Sequence, residues 1–340
     1  MILSTTRRRF ILGTVSAPLG AISAPLGAVM APLVVRSARA QTFPSRPVRI
    51  VIGFPPGGGI DILARLIAPK MSERLGQPVI VDNRPGANAQ IATQAVAQSD
   101  PDGHTILFGT TGNLAINQSL YPGRPGTNIE RDFTPLSQVA SLGFVLVVGP
   151  TMPAKSLQEL IDIAKSRAGE VFFGSSGSGG LPHLCGELLN LQASIQTVHV
   201  PYRGSAPAFT DLIGGQVQYV FDAGAIALPH IQSGSIRPLA VTGPAPMAVL
   251  PGVPVAKQTL PDFEVVNWYG MVVRKGTPAE LVSRLQQEVA FALRQDDVIA
   301  RAAALGLDLL GTMPQEFAAF QQAEIAKWGA VIKSANIHVD

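Results

Sequence analysis

Cysteine, aromatic side chains and charge are all scarce in this chain. Cys185 is its one cysteine among 340 residues, so no internal disulfide can form. The setting LPHLCGELL reads as a small buried helix residue rather than a reactive thiol. Histidines 104, 183, 199, 230 and 338 never fall at ligand spacing with acids or with Cys185, so no metal site and no cofactor are expected. Basic excess is missing as well, once the first forty residues are set aside. Arg7, Arg8, Arg9, Arg36 and Arg39 lie there without a single acid, which leaves 21 of the 26 basic residues against all 23 acidic ones. No basic run remains for nucleic acid or a membrane surface, so nucleic-acid binding drops out.

Those first forty residues read as a secretory leader. Three arginines precede an apolar run, and Ala38-Arg39-Ala40 puts small residues where a signal peptidase reads, so cleavage after about Ala40 and a periplasmic location are expected. The stretch TRRRFIL suggests the twin-arginine route, with an ordinary Sec leader as the alternative. Pro18, Pro25 and Pro32 break the apolar run and argue against a spanning helix.

The remaining chain alternates strand and helix, which argues for parallel sheets covered by helices, an α/β class. VRIVIGF (48–54) is a strand, Ile60 to Leu75 a helix stopped by Gly76, and VIV (79–81) and HTILFG further strands. A second series starts near Phe144 with FVLVVG, followed by a helix that Ser156 caps with Glu159 at the capping-box position. VFFG, TVHVPY, VQYVF ending at Asp222, and RPLAVTG are its later strands. NWYGMVVRKG reads as a returning strand, before a helix from Pro278 capped by Thr277 and another near Asp297. A last amphipathic helix spans about 314 to 334, with Glu324 inside its apolar stripe. Two units follow, 41–142 and 143–267, with 268–340 rejoining the first.

Two loops carry the chemistry. RIVIGFPPGGGIDILARLIA (49–68) runs from strand through Gly57, Gly58 and Gly59 into a helix. A P-loop would need Gly-Lys-Ser/Thr, and the dinucleotide fingerprint would need glycine where Ile62 stands, so both fail. A helix start with free N–H groups and a positive dipole end survives, faced by glycines that admit a ligand. FFGSSGSGGLPHL (172–184) repeats the device, adding the hydroxyls of Ser175, Ser176 and Ser178. In open α/β sheets ligands sit beyond the carboxyl ends of strands, so the two loops can share one cleft. Asp61, Thr110, Thr111, Asn113, His183, Tyr202 and Asp222 are the polar groups around it; each also has a plain structural role available, such as Asp61 favouring its own helix start.

Taken together, FPPGGGIDILAR, VDNRPGA, PDGHTILFGT, SSGSGGLPHLCGEL, HVPYRGSAPAFTDLIGGQV, FDAG and ALPHIQSGSIRPLAVT resemble the Bug family, the TctC-type solute receptors of tripartite tricarboxylate transporters. The match runs in family order through nearly all of the chain after the leader. The resemblance implies a two-lobed type II periplasmic-binding fold that captures a small carboxylic acid, partnered by membrane transporter subunits and expected as a monomer. It places the ligand carboxylate on the loop from Phe54 and Pro55 to Asp61, partly through waters. It places further contacts at Thr110 to Asn113, at Ser175, Ser176, Gly177, Ser178 and Gly179, and around Tyr202 and Asp222. Ala223 stands where the family commonly has Asn, and YPGRPGTNI (121–129) departs from the usual loop, so the ligand class carries over and not a particular ligand.

GSSGSGG resembles the nucleophile elbow of a hydrolase, but Ser178 stands where the elbow needs its second glycine. Ser178, His183 and Asp222 have no reason to align as a triad. The expectation is therefore a receptor and not an enzyme, with a solute sensor feeding a signalling partner as the alternative.

Overall fold

The computed structural model describes residues 43–338, so the leader and its cleavage point lie outside the described residues. The strands are β1 (Val48–Ile52), β2 (Val79–Asn83), β3 (Thr105–Thr110), β4 (Phe133–Val148), β5 (Phe172–Ser175), β6 (Val198–Pro201), β7 (Tyr219–Ala223), β8 (Arg237–Val241), β9 (Val266–Arg274) and β10 (Asp308–Leu309). The helices are α1 (Gly59–Leu75), α2 (Gln90–Ala97), α3 (Asn117–Leu120), α4 (Ile129–Asp132), α5 (Leu157–Ser166), α6 (Leu181–Ala193), α7 (Ser205–Ile213), α8 (Gly224–Gln232), α9 (Ala279–Ala292), α10 (Asp296–Ala304) and α11 (Pro314–Ser334).

β1 pairs in parallel with β2 and β3, and β5 does so with β6 and β7. The sheet is mixed rather than parallel throughout, because β4 and β9 run against their neighbours. β4 is the reason the halves are one structure. Its first part pairs with β9 as far as Gly143 opposite Val266, and at the next residue Phe144 lies opposite Ala223 of β7. β3 ends with Thr110 opposite Tyr269, which itself lies opposite Ala140, and β8 ends with Val241 opposite Val145. The carboxyl ends of both parallel sets therefore point at this switch in β4 from opposite directions.

The local signals act as their chemistry requires, with some corrections. Gly76 takes φ 68° and closes α1, a left-handed cap that glycine adopts without a Cβ penalty. Ser156 accepts the Glu159 N–H, but Glu159 returns its bond to the Lys155 amide rather than to Ser156. Thr277 is not the cap of α9: Pro278 holds that position, and the Thr277 hydroxyl donates to the Arg274 carbonyl. Glu324 is buried in the α11 stripe because the indoles of Trp268 and Trp328 donate to it at 3.0 and 2.9 Å, and Lys327 reaches it at 2.7 Å. Trp268 thus ties β9 to α11 through one carboxylate, which Trp328 of α11 also holds. No helix among the described residues is long and apolar enough to cross a membrane.

Candidate functional site

The first glycine loop is held by its own acid. Gly57 has φ +94° and donates its N–H to Asp61 Oδ2 at 2.9 Å. Asn83, from the end of β2, donates to Asp61 Oδ1 at 2.9 Å and to the Phe54 carbonyl at 3.1 Å. Arg65 lies one turn on and donates to Asp61 Oδ2 at 3.0 Å and to Asn83 Oδ1 at 2.8 Å. Burial alone would raise the Asp61 carboxyl, but the bonds from Arg65, Gly57 and Asn83 outweigh it and hold it below the usual range. With 2% of its surface exposed, Asp61 braces the loop rather than facing solvent.

The braced feature is a bare helix start. Gly58 is the N-cap of α1 and no side chain caps it, so the first N–H groups lack intrahelical partners. Pro55, Gly57 and Gly58 are exposed beside it. The Tyr269 hydroxyl lies 3.1 Å from where a Cβ on Gly59 would stand. Burial pushes that phenol up to about 12, so it stays a neutral donor at physiological pH. Tyr269 was not anticipated, because only the pairing of β9 with β3 brings it to this helix start.

The second loop is more self-satisfied. The Ser175 hydroxyl, fully buried, lies 2.7 Å from His199 Nε2 and donates to the Gly177 carbonyl at 3.0 Å. His183 accepts the Gly179 N–H on Nδ1 at 3.0 Å and stacks on His199 with ring centres 3.6 Å apart. Burial first and His183 second push His199 down to about 3, so it stays neutral. His183 points its other nitrogen toward Glu187 at 3.6 Å, not toward Ser178. Ser178 is exposed and Ser176 half-buried, and neither hydroxyl has a partner among the described residues. Pro182, second residue of α6, removes one N–H from this helix start.

Four other anticipated residues are engaged internally. The Thr111 hydroxyl accepts the Trp268 N–H at 2.9 Å, and Asn113 binds the Thr110 N–H at 2.8 Å and the Thr93 hydroxyl at 3.0 Å. Thr110 is half-buried, and its hydroxyl accepts the Gly112 N–H at 3.3 Å. Tyr202 donates to Asp211 at 2.7 Å; burial and that carboxylate push it up to about 12. Asp222 differs from all of these. It is 5% exposed, its Oδ1 accepts the Ala223 N–H at 2.7 Å, and its Oδ2 has no partner among the described residues.

Two features carried no sequence signal. Ala87, Asn88 and Ala89 have φ of 47°, 52° and 66°, a left-handed run that costs about 1–3 kcal/mol per residue in general. An exchange of amide bonds between Asn88 and Asn117, both 2.9 Å, holds it in place. The second is a cavity of about 330 Å³ lined by Gly143, Gly243, Met247, Val249, Val266 and Leu307. A neighbouring cavity of about 190 Å³ shares Gly143, Met247 and Val249 and reaches Gly224 and Ala225 at the start of α8. Neither is lined by the glycine loops.

Parallel strands meeting at a shared crossing strand, with uncapped helix starts at the joint, are the architecture of periplasmic binding proteins, the class of solute receptors to which this molecule conforms. Residues 63–337 match the model of the tripartite tricarboxylate transporter family receptors, TctC, and the chain belongs to that family. Protein BugT of Bordetella pertussis (strain Tohama I) is 36% identical over 296 residues, 86% of this chain and 90% of BugT. Rpa4515 of R. palustris, solved with adipate, is 36% identical with a TM-score of 0.72, over 87% of this chain and 99% of its own. MatC of Rhodopseudomonas palustris, solved with bound malate, is 31% identical with a TM-score of 0.68, over 85% and 100%.

Proposed function

We propose that this chain is a periplasmic receptor that captures a small carboxylic acid and hands it to a membrane transporter of the tripartite type. The acid sits between two lobes, one built from 41–142 and 268–340 and the other from 143–267. The uncapped start of α1 carries this reading: N–H groups of a helix terminus, braced from behind by Asp61 and flanked by the Tyr269 hydroxyl. Ser176, Ser178 and the start of α6 offer donors from the other lobe. Closure is a bend where β4 changes partners, within 141–145 and 265–270. That relatives of similar sequence were solved with adipate and malate supports the ligand class.

The magnitudes agree. Three or four hydrogen bonds to a carboxylate, at roughly 1.5–3 kcal/mol each, total about 5–12 kcal/mol. Micromolar affinity needs about 8 kcal/mol. No side-chain cation is required for reversible capture.

The test is thermal unfolding of protein refolded free of carried-over ligand, against a panel of small carboxylates. Ligand at about a hundred times Kd adds roughly 2.7 kcal/mol of stability. A shift confined to one group of acids is expected. No shift with any acid, from folded protein, would sink the proposal.

A further inference from the structure

The loop after β8, GPAPMAVLPGVPVA (243–256), has four prolines and no charged residue, and Met247 is its one long unbranched side chain. Met247 is half-buried, and its sulfur stands where it would collide with a Cβ on Gly224. Its methyl lies 3.6 Å from where a Cβ on Gly143 would stand. Neither glycine has a positive φ, so at Gly224 it is this thioether, and not the backbone, that leaves no room for a side chain. The slot lies at the switch: Gly143 is the last residue of β4 paired with β9, and Gly224 follows β7 directly. The two cavities there, of about 330 and 190 Å³, are both lined by Met247, Val249 and Gly143 together with Gly306, just past α10. The other methionines among the described residues divide into Met71, Met152 and Met271, at most 1% exposed, and Met313, 51% exposed at the start of α11.

Resting on the reading above that capture closes by a bend at this switch, we propose that Met247 is an oxidation site that controls capture. A peroxide is the oxidant: a sulfur lone pair takes one oxygen, the O–O bond breaks, and water leaves with both peroxide protons. Sulfur loses two electrons, the peroxide gains them, and the product is the sulfoxide. The thioether fits its slot because it is flexible, apolar and polarisable. The sulfoxide has an added oxygen and a strong dipole, and beside Gly143, Gly224 and Val249 it finds neither the space nor a side-chain donor. The oxidised side chain therefore leaves the slot for the cavities, which residues on both sides of the bend share. A bulky polar group there obstructs the bend, and the closed complex is the state that is destabilised.

The experiment treats refolded protein with hydrogen peroxide, maps its methionines by peptide mass spectrometry, and titrates the panel of small carboxylates before and after. Met247 and Met313 are expected to gain one oxygen each well before Met71, Met152 and Met271. Affinity is expected to fall at least about fivefold, through faster dissociation, with far-ultraviolet circular dichroism unchanged. Methionine sulfoxide reductases acting on both epimers should restore it. Met313→Leu should lose affinity with peroxide as the wild type does, whereas Met247→Leu should bind equally before and after treatment. Met247 left unoxidised when Met313 is converted would overturn the proposal, as would full affinity with Met247 oxidised. A loss that persists in Met247→Leu would do the same. If that variant fails to fold, a loss that the reductases do not reverse in the wild type or in Met313→Leu overturns it instead. Each of these results leaves carboxylate capture standing, whereas no binding of any acid before treatment removes capture and its control together.

Discussion

Asp61, in the first turn of α1, and Asp222, at the end of β7, are both buried acids, yet their surroundings give them opposite chemistry. Asp61 is surrounded by donors, so its charge is stabilised and its role is to hold Gly57 and Asn83 in place. Asp61→Ala leaves those groups without their acceptor, and a cost of about 1–3 kcal/mol is expected by chemical denaturation. Carboxylate affinity should fall at least tenfold with it, because the α1 N–H groups lose their fixed direction; full-strength binding by a folded Asp61→Ala protein would show that this loop is not the anion site. Asp222 is shifted the other way. Burial raises its pKa above the ordinary 3.8, with the Ser205 hydroxyl and the Ala223 amide pulling it back only in part. The folded protein then keeps a proton that the unfolded chain has released, so the stability from this group is present at low pH and is lost as pH rises through the folded pKa. Asp222→Asn is free of that loss. Melting curves should place the variant above the wild type by a few degrees at pH 7 to 8, with the gap closing toward pH 4, and a variant that melts lower at pH 8 would contradict the burial argument.

At the scale of elements, the helix start is the unit that works. Gly59 has ordinary room except toward Tyr269, and none of the positive-φ strain that affects Gly57. Gly59→Ala should therefore change stability by no more than about 1 kcal/mol, since α1 tolerates alanine well. The added methyl crowds the Tyr269 hydroxyl at 3.1 Å beside the helix start, so affinity should drop tenfold or more in a carboxylate titration. Unaltered affinity would put the ligand elsewhere. Elements also differ in how much of their structure is set by local sequence. Strands rich in apolar residues, such as β1 and β7, and helices with clear stops, such as α1 with Gly76, are legible because local chemistry decides them. β4 is only half legible. FVLVV announces its second part, but Pro135, Ser137, Gln138 and Gly143 hide the first, whose strand form depends on pairing with β9. α8 is hidden for a similar reason, since Pro229 lies inside it and its apolar spacing is weak. In the candidate site, glycines are visible as letters, but nothing local says that Thr111, Asn113 and Tyr202 are bonded to the protein itself. Tyr269 needs the order of β3 and β9 to be known first.

At the scale of the whole molecule, β4 decides how the protein unfolds. It is 16 residues long and hydrogen-bonded on both sides of the switch, to β9 and β10 before it and to β7 and β8 after it. The β5–β7 set borders this strand directly and the β1–β3 set reaches it through β9, so losing either exposes β4 or its partner, and an unpaired buried backbone is costly. The two halves should therefore melt as one cooperative unit. Trp268 and Trp328, both fully buried, report on the packing around β9 and α11, while far-ultraviolet circular dichroism reports on all helices together. In a urea titration the two signals should give the same midpoint, and a carboxylate ligand at about a hundred times its Kd should move both together, by the equivalent of roughly 2.7 kcal/mol. If tryptophan fluorescence changes at a separate midpoint, the halves unfold independently and β4 is a flexible tether. A ligand that moved only one of two midpoints would then be bound by one half alone, and capture between the lobes would fall with it.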